Sequence, residues 1–146
     1  MSTASASLAW LTTLHRAKAL GLANLRFQEG DATQLSGLAD QSFDLVVSNP
    51  PYVAADDPHL SAGDLRFEPR GALVGGADGL DHYRLLAPEI LRVLKPGGRF
   101  LVEIGHDQSS AVEPLFRDAG AIEVATLKDL SDRHRVVWGR KKPLET

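Results

Sequence analysis

The stretch Phe43-Asp44-Leu45-Val46-Val47-Ser48-Asn49-Pro50-Pro51-Tyr52 decides the fold of this chain. Residues 43–47 form a short, mostly apolar run, which predicts a buried β-strand. The two prolines that follow end the strand, because proline has no N–H to donate and its φ is fixed near −65°. Ligands of open α/β sheets bind just beyond the carboxyl ends of strands. We therefore expect residues 49–52 to form a stiff recognition loop at that edge of a sheet.

The side chains of this loop suit a flat polar ligand. Asn49 carries an amide that both accepts and donates hydrogen bonds, and Tyr52 adds an aromatic face with a hydroxyl group. Together with the rigid backbone of Pro50 and Pro51, they match an amide or an amino-aromatic group. The alternative is a simple turn, since Asn-Pro is common where strands end.

Helices and strands alternate on both sides of this loop. A helix is expected within residues 5–21, because apolar residues recur at helical spacing and Gly21 follows them. A half-buried strand is expected at 25–28. After a long irregular region, the pattern predicts a helix at 81–94, a sharp stop at 95–98, a buried strand at 99–105, a helix at 108–119, and an antiparallel pair of edge strands at 123–127 and 135–139. We read residues 1–146 as a single partial α/β domain, with a sheet portion at 24–140 and a tail at 141–146.

Composition narrows the class of protein. The chain has 146 residues, 43% of them hydrophobic and 24% charged, which is ordinary for a globular domain. Its net charge of −3 disfavours a nucleic-acid partner. With no cysteine, no apolar run long enough for a membrane span and no export signal, the sequence indicates a cytoplasmic protein without membrane association. The five histidines lack metal-ligand spacing, so no metal is expected.

A longer series of motifs is similar to a known family. In chain order these are Asp31, the strand and loop at 43–53, Asp57-Pro58-His59-Leu60, the segment 63–69 with Arg66-Phe67-Glu68-Pro69, Asp78-Gly79-Leu80, Lys95-Pro96-Gly97-Gly98 and Glu103-Ile104-Gly105. They resemble the protein-(glutamine-N5) methyltransferases that modify peptide chain release factors. Asn-Pro-Pro-Tyr alone also fits DNA adenine-N6 and RNA guanine-N2 methyltransferases, and the Arg-Phe-Glu-Pro segment favours the glutamine branch.

The resemblance implies a Rossmann-like class I methyltransferase fold, S-adenosyl-L-methionine as cofactor and a release factor with a Gly-Gly-Gln loop as substrate. It assigns the target amide to the side chain of Asn49 and the carbonyl of Pro50, with Pro51 and Tyr52 completing the catalytic loop. It places Asp31 and Ala32, together with Asn49, at the cofactor. For Asp31, a turn-forming role after Gly30 is an equal alternative.

Two parts of the family pattern are missing from the printed sequence. No Gly-x-Gly-x-Gly turn precedes Asp31, and no residues correspond to the family's N-terminal helical domain. We therefore expect an N-terminally truncated sheet without its first two strands, a gap between the strands at 25–28 and 43–47, and exposed edges through which the chain self-associates. The alternative function is a truncated or degenerate non-catalytic remnant that acts only through protein association.

Overall fold

A computed structural model of the chain describes residues 13, 15–28, 30–31, 33–50 and 76–146. These residues fall into two compact units, Met1–Gly30 and Asp31–Thr146. Pro51, Tyr52 and Ala32 lie outside the described residues, as does the Arg66-Phe67-Glu68-Pro69 segment. No helix in the part of the chain that is described is both long and apolar enough to cross a membrane.

In the first unit, the end of the predicted helix is confirmed. Residues 15–19 are helical, and Gly21 adopts a φ of 67°. The N–H of Gly21 donates to the carbonyl of Lys18, and the N–H of Leu22 donates to the carbonyl of Ala17. This pair of hydrogen bonds satisfies helix-end carbonyls and requires a left-handed residue between them, which glycine supplies without strain.

The strand predicted at residues 25–28 is wrong. These residues form no strand. A strand exists through hydrogen bonds to a neighbouring strand, and the described residues of the first unit contain no strand that can pair with this segment. The expected gap within the sheet therefore does not arise, because only one of its two flanking strands forms.

Within its described residues, the second unit contains a four-stranded mixed sheet and two helices. In chain order its elements are β1 (Phe43–Ser48), α1 (Asp81–Val93), β2 (Leu94–Glu103), α2 (Ser109–Asp118), β3 (Ala121–Lys128) and β4 (His134–Lys141). The strand order is β1-β2-β4-β3. Strands β1 and β2 are parallel, and β4 is antiparallel to both β2 and β3. The predicted α/β class and antiparallel C-terminal edge are confirmed.

The segment Lys95-Pro96-Gly97-Gly98 belongs to β2, contrary to the prediction that it separates a helix from a strand. Leu94 pairs with Phe43, and the next pair along the ladder is Arg99 with Leu45, so the register shifts here. A Cβ atom on Gly98 would lie 3.2 Å from the carbonyl oxygen of Asp44. The glycine therefore allows the two backbones to approach closely across the bulge.

The core lies between the sheet and the two helices. Phe100 and Val102 of β2 and Val137 of β4 are fully buried against apolar side chains of α1 and α2. Phe100 stacks on Phe116 of α2 with ring centroids 4.3 Å apart. The buried strand predicted at 99–105 is confirmed by these contacts.

Strand β1 is less buried than its apolar sequence predicts. Val46 packs against the core, whereas Leu45 and Val47 are 51% and 70% exposed. Side chains alternate between the two faces of a strand, so Leu45 and Val47 lie on the face opposite the core. Among the described residues, β1 is the end strand of the sheet, and the face that carries Leu45 and Val47 remains largely exposed.

Candidate functional site

Asn49 and Pro50 lie directly beyond the carboxyl end of β1. The last residue of the strand, Ser48, pairs with Val102 of the parallel strand β2, so β1 and β2 end at the same edge of the sheet. Asn49 is exposed, and Pro50 behind it is buried. The polar residue Asn49 therefore faces solvent, and the next residue, Pro50, is packed in the interior. This is the sheet edge at which open α/β sheets bind ligands.

Hydrogen bonds connect two loops at this edge. The side-chain oxygen of Gln108 accepts from the N–H of Gly105 at 2.9 Å, and its amide nitrogen donates to the carbonyl of Gly79 at 3.4 Å. The hydroxyl group of Tyr83 donates to the carbonyl of Glu103 at 2.8 Å. The loop after β2 is therefore fastened to the start of α1, and both are held next to the end of β1.

Asp78 forms a second fixed point at the start of α1. Its carboxylate pairs with Arg84 and accepts from the N–H of Leu80. The hydrogen bond from Arg84, followed by that from Leu80, lowers the pKa of Asp78 from 3.8 to about 2. Asp78 is therefore ionised at neutral pH and links residue 78 to Leu80 and Arg84.

Asp31 is an exposed carboxylate that already has a local role. Its Oδ1 accepts from the hydroxyl of Thr33 at 2.6 Å and from the N–H of Thr33 at 2.8 Å. These two bonds, the hydroxyl first, lower the pKa of Asp31. The geometry is that of an Asx turn, which is the alternative role considered from the sequence. Its Oδ2 has no partner among the described residues and is available to an external donor.

The structure does not join Asp31 to Asn49. Both belong to the second unit, yet no hydrogen bond or ion pair links them within the described ranges. For S-adenosyl-L-methionine, these residues offer one carboxylate oxygen and one exposed amide. That donor set suits an adenine amine, but the residues include no backbone cradle for the rest of the cofactor. The described residues therefore suit only the adenine end of the cofactor.

A basic pocket at the same edge was not predicted from the sequence. It has a volume of about 350 Å³ and is lined by His106, Lys128, Asp132, Arg133 and His134. The sequence separates His106 from the other four residues by more than twenty positions. The antiparallel pairing of β4 with β2 brings them together, since the N–H of Ile104 donates to the carbonyl of Arg135 at 2.9 Å. Only the strand order reveals this proximity.

The sheet order, the parallel β1-α1-β2 unit and the antiparallel C-terminal edge define a Rossmann-like domain of the class I methyltransferase type. A SAM-dependent methyltransferase from Methanosarcina mazei has the same fold, with a TM-score of 0.56 at 16% identity over 94% of this chain and 79% of that one. A family model described as "Methyltransferase domain" matches residues 12–136. The chain belongs to this methyltransferase family.

Two relatives with much higher sequence identity to this chain share one name. A protein of Caulobacter vibrioides is 63% identical over 118 residues, which cover 80% of this chain and 40% of that protein. A protein of Xylella fastidiosa is 50% identical over 124 residues, covering 85% of this chain and 44% of that one. Both are named release factor glutamine methyltransferase. The chain thus spans less than half the length of these curated relatives.

Proposed function

We propose that this chain provides the substrate-orienting part of an enzyme that methylates N5 of a glutamine side chain in a peptide chain release factor. The observation that carries the proposal is the exposed amide of Asn49 on a buried proline at the carboxyl end of β1. The shared name of the relatives supports a glutamine of a release factor as the target, and the resemblance seen in the sequence places that glutamine in a Gly-Gly-Gln loop. The activity belongs to the cytoplasm, where translation ends.

The chemistry of this site is the positioning of a primary amide. The side-chain oxygen of Asn49 and the carbonyl of Pro50 accept the two N–H groups of the target amide. A planar amide nitrogen is a poor nucleophile because its lone pair is delocalised. Two acceptors on its hydrogens favour the pyramidal nitrogen that develops during transfer, and they hold it in line for reaction. The resemblance assigns Pro51 and Tyr52 to the same catalytic loop.

The cofactor of the reaction is S-adenosyl-L-methionine, which when bound supplies an electrophilic methyl group. When the cofactor is bound, Asp31 would accept from the adenine amine through its available oxygen, and Ala32 and Asn49 are the other residues that the resemblance assigns to the cofactor. These residues would contact only the adenine end of the cofactor. We therefore expect the isolated 146-residue chain to bind the cofactor weakly, with a dissociation constant above the micromolar range. Titration calorimetry measures this directly, and micromolar binding by the chain alone would refute the expectation.

A second function is favoured by the exposed face of β1. A non-catalytic remnant that acts through protein association would use Leu45 and Val47, which are largely exposed. Such a protein would bind a partner whether or not the amide of Asn49 is present. The two functions therefore differ in their dependence on one side chain.

Methyl transfer to the isolated catalytic domain of a release factor, followed with labelled cofactor at saturating concentration, tests the proposal. We expect measurable transfer by the chain and its loss, by about 100-fold or more, in Asn49→Ala. Asn24→Ala is the matched control, because Asn24 is also exposed and lies in the first unit. Circular dichroism of each variant excludes unfolding. Equal transfer by both variants would refute the proposed role of Asn49, and no transfer by the chain at saturating cofactor would favour the remnant.

A further inference from the structure

The basic pocket lies close to the candidate site along one edge of the sheet. Strand order places β4 two positions from β1 and β3 three positions from it. Neighbouring strands are about 4.8 Å apart, so the pocket at the ends of β3 and β4 lies roughly 10 to 15 Å from the end of β1. An extended polypeptide covers this distance in about three to five residues.

The charges in the pocket do not cancel. Lys128 pairs with Asp132 at 3.0 Å, so these two lining residues neutralise each other. The guanidinium group of Arg133 makes no ion pair with any residue that the structure describes, and Arg133 is exposed. Asp107 follows His106 in the chain but does not line the pocket. Arg133 is therefore the uncompensated charge of the pocket.

The nearby carboxylate of Asp129 is unavailable to Arg133's guanidinium. Its Oδ1 accepts from the N–H groups of Ser131 and Arg133, and its Oδ2 pairs with Arg135 at 3.3 Å. The backbone N–H of Arg133 is the largest cause of the lowered pKa of Asp129. The turn between β3 and β4 is thereby held by Asp129, while the side chain of Arg133 extends from a fixed backbone.

The histidines add hydrogen-bonding groups to the pocket. Nδ1 of His134 forms a 2.9 Å hydrogen bond with the hydroxyl of Ser109, the first residue of α2. This bond fixes the imidazole ring and leaves its other nitrogen for a ligand, as happens where histidines are oriented by one ring nitrogen. His106 is exposed and also lines the pocket. One unpaired guanidinium group and two imidazoles suit a single carboxylate.

We propose that the basic pocket binds an acidic side chain of the protein substrate, about three to five residues from the glutamine held at Asn49. This inference rests on the proposed function, because it requires a peptide substrate at that edge. A nucleic acid is disfavoured, since phosphate backbones are bound by several uncompensated cations and the chain carries a net charge of −3.

A pair of fluorescent 13-residue peptides tests the proposal without the cofactor. Both peptides present a central Gly-Gly-Gln. The acidic peptide carries Glu at the positions four residues before and four residues after that glutamine, and the control peptide carries Ser at both positions. We expect the full chain to bind the acidic peptide about fivefold more tightly at low salt, measured by fluorescence anisotropy. Equal affinity for the two peptides, or binding of neither, would overturn the proposal.

Three variants assign the effect to the pocket. Arg133→Gln is expected to remove most of the preference for the acidic peptide. Asp132→Asn is expected to increase it, because the pocket loses its own carboxylate. Lys142→Gln is the matched control, since it removes one positive charge from the exposed tail, where Lys142 pairs with Glu145. An equal loss in Lys142→Gln and Arg133→Gln would overturn the proposal.

The readouts separate this inference from the proposed function. Preferential binding that depends on Arg133 supports the pocket even if methyl transfer fails, and equal binding with normal transfer rejects the pocket alone. A single-stranded RNA oligonucleotide that binds more tightly than the acidic peptide, with the same dependence on Arg133, would assign the pocket to nucleic acid and overturn the proposal.

Discussion

Gly139 of β4 has no room for a side chain, so Gly139→Ala is expected to destabilise the second unit. A Cβ atom at this position would lie 2.8 and 2.9 Å from Cζ and Cε1 of Phe100, distances that real Cβ contacts do not reach. Gly139 and Phe100 are direct partners in the β2–β4 ladder. The ring of Phe100 is fully buried and stacked on Phe116, which restricts its retreat. Overpacking of this kind costs about 1–3 kcal/mol.

A smaller effect opposes this cost. Replacing glycine by alanine reduces the freedom of the unfolded chain and stabilises by about 0.4–1 kcal/mol where the residue fits. We therefore expect a net loss of about 1–2 kcal/mol in the free energy of unfolding. Urea denaturation followed by circular dichroism measures it, provided that the slope with denaturant is unchanged.

Two further variants identify the cause. Gly30→Ala is the control, because a Cβ there meets nothing within 4 Å, and we expect a change within about 0.5 kcal/mol. Gly139→Ala should cost less free energy of unfolding in a Phe100→Leu background than in the parent, since the shorter leucine side chain leaves room for the new methyl group. A Gly139→Ala protein as stable as the parent, or strictly additive effects in the double variant, would refute the steric explanation.

Three other changes test further features of the fold. Because the pKa of Asp78 is lowered to about 2, its carboxylate contributes stability above about pH 4 that is lost as the pH falls towards 2. The difference in thermal midpoint between the parent and Asp78→Asn should therefore shrink over that window, and a difference that is constant from pH 5 to 2 would contradict the assignment. Tyr83→Phe removes the hydrogen bond to the backbone at the end of β2 and is expected to cost about 1 kcal/mol in urea denaturation, whereas an unchanged midpoint would show that the bond is energetically neutral. Val47→Lys places a charge on the exposed face of the end strand and should lower the self-association we expect of the parent, measured by sedimentation velocity. A parent chain that stays monomeric at high concentration would contradict this last prediction.

Strong helical periodicity made α1 predictable from its sequence. Tyr83, Leu86 and Ile90 recur on one face, and the helix ends one residue before the predicted position. The β3–β4 hairpin was predictable for a similar reason, because two apolar runs flank a polar connection. In both cases the residues that decide the element are close in sequence, so the pattern and the packing agree.

Features that depend on distant partners were not predictable. The apolar composition of β1 is the same whether one face of the strand or both are covered, so the exposure of Leu45 and Val47 could be seen only in the structure. The four residues at 25–28 alternate like a strand, but alternation cannot supply a pairing partner. The position of Asn49 at the carboxyl end of a strand could be predicted from the sequence pattern. The ion pair between Asp78 and Arg84 could be seen only in the structure.

The pairing of β1 with β2 has a consequence for synthesis on the ribosome. Lys95 and Asp44, which form an ion pair across these strands, are 51 residues apart in sequence. At translation rates of about 5–20 residues per second, β1 leaves the ribosome about 3–10 s before its partner strand does. During that interval Leu45 and Val47 are apolar residues of an unpaired nascent segment. We expect β1 to be the part of this chain that most needs chaperone protection while translation continues.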